Sequence, residues 1–158
     1  MKNILLLLLS IGLLTFCAFS FTTSENNNQE IMEIKKDVKA KNVLGTDLQA
    51  CCFEPKTGWY RDGYCNTDFR DFGVHVVCAE LTDEFLNYSS SCGNDLKTPK
   101  PQHGFPGLKA GDKWCLCVSR WKEAMIAGVA PPIVLESTHA KALETVSMED
   151  LKQYEVKK

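Results

Sequence analysis

The distribution of apolar and polar residues divides the chain into three parts. An uncharged apolar run comes first, a polar and charged stretch follows, and apolar segments separated by turn residues fill the rest. A basic start, an apolar run and small residues near its end are typical of a secretory signal. The pattern predicts a signal peptide over residues 1–20, a polar tether over 21–40 and a single folded domain over 41–158.

The small residues at the end of the apolar run indicate how the leader is processed. Ala18 and Ser20 occupy the positions that signal peptidase reads, so cleavage after Ser20 is expected. The alternative is a lipoprotein signal in which Cys17 is acylated. A retained membrane helix needs about 20 apolar residues, and no basic cluster follows the run. We therefore expect a periplasmic or secreted protein, or one anchored by a lipid on Cys17.

The first half of the folded part predicts a strand followed by a helix. Residues 74–79 are mostly β-branched and apolar, which favours a buried strand. Thr82 is a suitable N-cap for a helix, and Gly93 is a suitable C-terminal stop. Four residues of this segment recur at helical spacing and share one face: Leu81, Phe85, Tyr88 and Cys92.

The second half of the folded part also predicts strands that alternate with helices. It predicts a strand over 114–121, a short helix over 122–128, a strand over 133–138 and a last helix capped by Ser147. Short strands and helices of this kind indicate an α+β domain in which helices cover a small sheet. A small β-barrel with helical decorations is the alternative.

Residues 94–112 form a long loop with three prolines and three glycines. Such a loop is uncommon in a compact domain unless it is functional or disordered. If it adjoins the turns around residues 54–63, aromatic and basic side chains would wall a pocket of the kind that small ligands use. The predicted ligand-binding residues of this pocket are His103, Phe105, Trp59 and Tyr64. The main functional hypothesis is therefore a module that binds a small molecule or a protein partner.

A thiol-dependent enzyme is the alternative hypothesis. Cys65 follows a tight turn and is the candidate nucleophile, with Arg61 placed to lower the pKa of its thiol. His75 or His139 would act as the base. The carboxylate that orients the base would be one of three acidic residues: Asp62, Asp71 or Glu136. The predicted site joins the segment "YRDGYCNT" and His75 to the proline-rich loop, and its proposed catalytic residues are Cys65, His75, Arg61 and Asp62.

Seven of the eight cysteines follow the leader, and an odd number leaves at least one of them without an intrachain partner. Cys115 and Cys117 point to the same side of a strand, with Cα atoms about 6.6 to 6.8 Å apart, at the upper limit for a disulfide. We expect both to pack as thiols on one face of that strand, opposite Trp114, Leu116 and Val118. Strand alternation also predicts that His75 and Cys78 face opposite sides, with Cys78 in the core.

A zinc site is a second, more specific interpretation of the cysteines. Cys115 and Cys117 would supply two ligands, with Cys65, Cys51 or a histidine completing the tetrahedron. Structural zinc sites usually take their cysteines from a turn that lets the sulfurs converge, whereas a strand splays them. The sequence therefore predicts no metal and no cofactor.

The charge pattern narrows the range of partners. The formal net charge is −2, and no basic run or interleaving of basic and aromatic residues is present. Nucleic acid is therefore not expected as a partner. Contact with a membrane is expected only through the leader or a lipid on Cys17.

Several segments, in order, resemble one family. They are "NVLGTDLQAC", "PKTGWYRDGYCNT", "HVVCAELTDEFL", "GNDLKTP", "FPGLKAGDKWCLC", "APPIVLESTH" and "MEDLK". Together they are similar to the domain of unknown function 2237 family of small bacterial proteins. The resemblance implies a single α+β domain and no assigned activity or catalytic residue. Cys52 and Cys92 lie outside these segments, and we expect any disulfide to join these two.

Overall fold

The computed structural model describes residues 40–157. The expected signal peptide and nearly all of the expected tether lie outside the described residues. Within residues 40–157, no helix has both the length and the apolar character needed to cross a membrane.

Two antiparallel strands form the centre of the domain. Strand β1 spans His75–Glu80 and strand β2 spans Lys113–Cys117. Both are buried through most of their length. Two of their outward N–H groups donate to side chains: that of Cys115 to Thr57 Oγ1 at 2.8 Å and that of Cys78 to Thr138 Oγ1 at 3.2 Å. These bonds satisfy buried donors that water cannot reach.

Within the described part of the chain, three helices and three short 3-10 turns surround this pair of strands. Helix α1 spans Asp83–Ser91, α2 spans Val118–Ile126 and α3 spans Met148–Gln153. The 3-10 turns are Pro101–His103, Leu135–Ser137 and Ala140–Glu144. The α+β prediction is confirmed. The β-barrel alternative is wrong for residues 40–157, where the sheet has two strands.

Helix α1 begins and ends where the sequence predicted. The Thr82 side chain accepts a hydrogen bond from the Phe85 N–H at 3.2 Å, which satisfies one of the unpaired donors of the first turn. Asp83 and Glu84 lie in that turn, where the helix dipole favours negative charge. Gly93 follows with φ of 80°, a backbone conformation that suits glycine.

Two predicted strands are wrong. The strand expected over 114–121 ends at Cys117, and helix α2 begins at the next residue. Val118, Trp121 and Ala124 are buried at a spacing of three residues, so packing on a helical face decided the structure. The strand expected over 133–138 is instead a 3-10 turn over Leu135–Ser137, after isolated bridges at Ile133.

Apolar side chains from the two strands, the three helices and the last two 3-10 turns form one core. Trp121 and Phe85 are among the largest fully buried side chains. The Trp121 indole donates to the Pro131 carbonyl at 3.0 Å, so its one polar group is satisfied inside the core.

A second, smaller cluster of buried residues consists of cysteines. Disulfides join Cys51 to Cys78 and Cys65 to Cys115. Cys78 and Cys115 lie directly opposite each other in the ladder, and each is bridged to a cysteine of the loop that covers the sheet. Cys115 is therefore bonded to sulfur and is not the free thiol we expected.

The predicted Cys52–Cys92 disulfide is wrong. Both residues are free, as is Cys117. The pairing depends on how the loop carrying residues 51–65 lies over the strands, which local sequence patterns do not define. Two buried disulfides are typical of a protein that works in an oxidising compartment.

Candidate active site

A β-bulge at the start of β1 determines where His75 points. His75 pairs with Cys117 and Val77 pairs with Leu116, so Val76 is an extra residue between the two pairs. An extra residue shifts the alternation of side chains by one. His75 therefore lies on the same side of the ladder as Cys78, Cys115 and Cys117. The expectation that His75 and Cys78 face opposite sides was wrong for this reason.

Backbone strain accompanies the bulge. Val74, the residue before His75, has φ of 49°. A β-branched residue in the left-handed region is a true outlier and costs on the order of 1–3 kcal/mol. Its N–H donates to the Asp71 carbonyl at 3.0 Å and its carbonyl accepts from the Val118 N–H at 3.1 Å. These bonds hold the strained residue between the two chain segments that carry Asp71 and Cys117.

Asp71 orients the His75 ring. Its Oδ1 lies 2.6 Å from His75 Nδ1, and its Oδ2 accepts from the His75 backbone N–H at 2.8 Å and from Thr67 Oγ1 at 2.9 Å. The side chain is fully buried. Burial raises the pKa of Asp71, but these hydrogen bonds outweigh it and hold the pKa below its usual value. Asp71 is therefore a carboxylate at neutral pH and fixes the ring.

The other side of the His75 ring faces sulfur. A hydrogen bond to the Cys117 sulfur raises the pKa of His75 to about 9, against the burial that lowers it, and the bond to Asp71 adds to the rise. At neutral pH the ring is therefore an imidazolium.

Cys117 is at the junction of a strand and a helix. It is the last residue of β2 and the N-cap of α2, and its side chain is half-buried. The chain comes close to the pair at Gly73, where an added Cβ would lie 3.0 Å from Cys117 Sγ and 2.5 Å from His75 Cε1. The site therefore has room for glycine only. Cys117, His75 and Asp71 form a continuous chain of contacts.

A cavity of about 350 Å³ adjoins this chain of contacts at His75. Its walls come from the turn at residues 58–61, from β1 and β2, and from the proline-rich loop. Trp59 stacks on the His75 ring, with 6.2 Å between ring centroids and 10° between planes. The Arg61 guanidinium lies 4.9 Å above the Trp114 ring. One wall of the cavity is thus aromatic and basic.

The structure brings most of the predicted site residues to this cavity. Those that line it are Trp59, Arg61, His75, His103 and Phe105. Asp62 instead closes its own turn, where its side chain accepts from the Tyr64 N–H at 3.0 Å. Tyr64 packs edge-on against Phe53 with 6.0 Å between centroids. The alternative base His139 accepts from the Lys141 N–H at 3.0 Å and caps a 3-10 turn.

Cys65 requires a correction as the candidate nucleophile. It is fully buried and its sulfur is bonded to Cys115, so it has no thiol. The sulfurs of Cys51, Cys65 and Cys78 lie within 4.8 Å of one another, but as members of disulfides they offer no thiolate to a metal. The sequence interpretation missed Cys117. The signal that would have found it is the start of helix α2 at Val118, which places Cys117 at a helix N-terminus.

Fold and site together define a class: a small α+β domain held by two disulfides, with a Cys–His–Asp arrangement beside a cavity. The chain belongs to the DUF2237 family of uncharacterised proteins conserved in bacteria, whose family model matches residues 41–155. This confirms the resemblance noted from the sequence. No curated protein matches the chain at a significant level.

Proposed function

We propose that the protein is a thiol-dependent acyl-transfer enzyme, most simply a hydrolase, in which Cys117 is the nucleophile, His75 the acid and base, and Asp71 the residue that orients His75. One observation carries the proposal: the three side chains form one chain of contacts on one side of the sheet. A nucleophile, a base and a group that orients the base are the parts that such catalysis requires. The arrangement replaces Cys65 with Cys117 in the thiol-enzyme hypothesis.

The reaction would proceed in two balanced steps. The Cys117 sulfur attacks a carbonyl carbon, a C–S bond forms, and the leaving group departs with the proton from His75. Water then attacks the thioester, His75 takes a proton from that water and returns it as the C–S bond breaks. The products are an acid and an alcohol, thiol or amine, and water is the only co-substrate.

The position of Cys117 supports its role. Its sulfur lies beside the His75 ring, which can exchange a proton with it, as nucleophilic catalysis by a cysteine requires. The Val118 N–H already donates to the Val74 carbonyl. The rest of the first turn of α2 offers N–H groups and the positive end of the helix dipole to an oxyanion that forms at the substrate carbonyl. A solvent-exposed cysteine away from such features would react slowly at neutral pH.

The three free cysteines of residues 40–157 provide an internally controlled test. Cys52, Cys92 and Cys117 are all half-buried, so differences in their reactivity report chemistry more than access. Limiting iodoacetamide at pH 7, followed by peptide mass spectrometry, should modify Cys117 first. The preference should be lost in His75→Gln and reduced in Asp71→Asn, whereas Cys52→Ser and Cys92→Ser leave it intact. Equal labelling of all three cysteines in the parent protein would refute the proposal.

A binding module without catalysis is the second candidate. The observation that favours it is the cavity, with aromatic walls from Trp59, Phe105 and Trp114 and an adjacent basic group on Arg61. A small-molecule ligand in this cavity would touch His75 and need not reach the sulfur. It would raise the melting temperature of Cys117→Ser as much as that of the parent protein.

We also propose that the protein is exported. The leader pattern and the two buried disulfides support this location. Expression with the native leader should yield a mature chain that begins near Phe21, or an acylated chain that begins at Cys17. N-terminal sequencing that finds an intact Met1 on soluble cytoplasmic protein would overturn the proposal.

A further inference from the structure

The charges around the cavity do not balance. Two permanent cations, Arg61 and Lys100, line it, and Asp95 is the only acidic residue among the lining residues. Asp95 is already engaged, since its Oδ1 accepts from the backbone N–H groups of Lys97 at 2.9 Å and Thr98 at 3.1 Å. Lys100 Nζ bonds the Asp95 carbonyl at 3.3 Å and not its carboxylate. The imidazolium of His75 also lines the cavity, but the Asp71 carboxylate bonded to it offsets its charge. Arg61, Lys100 and Asp95 therefore leave the cavity with about one uncompensated positive charge.

Arg61 is the cation best placed to meet a ligand. The residue is exposed, its guanidinium carbon lies 4.9 Å from the centroid of the Trp114 ring, and it forms no salt bridge with a carboxylate within residues 40–157. A guanidinium stacked on an aromatic ring keeps its N–H edge free for a carboxylate in two parallel hydrogen bonds. Its backbone, with φ of 53°, belongs to the tight turn that starts at Gly58. That turn fixes the position from which the side chain reaches over Trp114.

The rest of the wall is apolar. Trp59, Leu96, Phe105 and Trp114 line the same cavity, and Phe105 packs edge-on against Trp114 with 5.6 Å between centroids. An apolar body with one anionic end fits this combination. One net positive charge matches a carboxylate better than a phosphate, which carries close to two negative charges at neutral pH.

We propose that the cavity binds the acyl part of the substrate and selects acyl groups that carry a second, free carboxylate, with Arg61 as the residue that determines this specificity. The inference rests on the proposed function. The free carboxylate would lie against Arg61, and the apolar chain would lie between Trp59 and Phe105. The ester or thioester carbonyl would then lie towards His75, which both lines the cavity and bonds the Cys117 sulfur.

Two esters with the same leaving group test the specificity. The mono-4-nitrophenyl ester of glutaric acid carries a free carboxylate, and 4-nitrophenyl acetate does not. The kcat/KM for the glutarate ester should exceed that for acetate by about tenfold or more, the usual effect of one charge-assisted hydrogen bond. Arg61→Gln should abolish the preference, and Lys109→Gln, which removes a lysine outside the cavity, should leave it unchanged. A preference that survives Arg61→Gln would overturn the inference.

Binding without chemistry separates the two proposals. Glutarate should raise the melting temperature of Cys117→Ser, and the shift should disappear in Cys117→Ser/Arg61→Gln. If glutarate binds in this way but the parent protein hydrolyses neither ester faster than Cys117→Ser, the enzymatic function fails and the carboxylate specificity of the cavity stands. If both esters are hydrolysed equally and glutarate has no effect, the enzyme stands and the specificity fails. A larger thermal shift with phenyl phosphate than with glutarate would also overturn the choice of a carboxylate.

Discussion

Gly73 illustrates how a single residue can control the candidate active site. It precedes the strained Val74 and lies against both reacting side chains. Its φ is not in the left-handed region, so alanine would fit the backbone there. Any effect of a substitution would come from the added Cβ and from nothing else.

We predict that Gly73→Ala slows alkylation of Cys117 by about tenfold or more at pH 7. A Cβ 2.5 Å from His75 Cε1 cannot be accommodated, so the ring or the sulfur must move and their hydrogen bond is lost. A cysteine without an activating partner is only a few per cent thiolate at that pH. The rates for Cys52 and Cys92 in the same sample serve as the control. An unchanged Cys117 rate would show that the ring and the sulfur do not act as a pair.

His75 also predicts how stability depends on pH. Its pKa rises from the ordinary 6.5 to about 9 in the folded protein, so folding favours its protonated form. This contribution is fully present below pH 6.5 and is lost as the pH rises through 9. The free energy of unfolding, measured in urea between pH 7 and 9.5, should therefore fall, and should fall less in His75→Gln. Burial lowers the pKa of His139, so that residue titrates below this range. Parallel curves for the two proteins would contradict the assignment.

At the scale of secondary-structure elements, helix caps are the most direct link from sequence to structure. Ser147 Oγ accepts from the Asp150 N–H at 3.0 Å and donates to its Oδ2 at 2.7 Å. Val146 and Leu151, on either side of the cap, are buried in the same core. Helix α3 is short, so its start depends strongly on these contacts.

We predict that Ser147→Ala lowers the free energy of unfolding by about 1 kcal/mol, the usual value of an N-cap side chain. Thr82→Ala should cost a similar amount at the start of α1. Ser90→Ala is the matched control, because Ser90 is exposed within α1 and away from its N-cap; it should change stability by less than about 0.5 kcal/mol. A cost for Ser147→Ala no greater than that of the control would mean that the cap does not stabilise α3.

Elements with local signals could be predicted from the sequence, and those set by distant contacts could not. Strand β1 and helices α1 and α3 follow from β-branched residues and cap residues. Cys117 was assigned to the middle of a strand because the sequence around it alternates. The change from strand to helix after it depends on the burial of Trp121 against Pro131. The same error hid the nucleophile, because only the end of a strand places that sulfur at a helix N-terminus.

The site depends on two further features that no local pattern reveals. The bulge at Val76 reverses the side to which His75 points, and one extra residue leaves no clear mark in an apolar run. The disulfide partners of Cys78 and Cys115 come from a distant loop. By contrast, the meeting of Trp59 and Arg61 with the proline-rich loop was predictable, because a long loop with buried apolar anchors such as Phe105 must pack on a neighbouring turn.

For the whole molecule, the two disulfides connect the loop of residues 51–65 to the sheet. That loop carries Trp59 and Arg61, and it is otherwise tied to the strands by a few hydrogen bonds, such as the one from the Cys115 N–H to Thr57 Oγ1. A two-stranded sheet is marginal by itself and needs further packing for stability. The disulfides therefore support both the fold and one wall of the cavity.

We predict that removing either disulfide destabilises the protein strongly, and that the longer loop matters more. The half-cystines are separated by 27 residues in Cys51–Cys78 and by 50 in Cys65–Cys115. Closing loops of these lengths restricts the unfolded chain by about 3.5 and about 4 kcal/mol, respectively. Urea unfolding of the two double alanine variants should show losses of this size in the free energy of unfolding, with the larger loss for Cys65→Ala/Cys115→Ala. Cys92→Ala is the control for replacing a cysteine that forms no disulfide. If a variant that lacks one of the disulfides unfolds at the same urea concentration as the parent protein, that disulfide is not needed to hold the loop on the sheet, and packing alone does so.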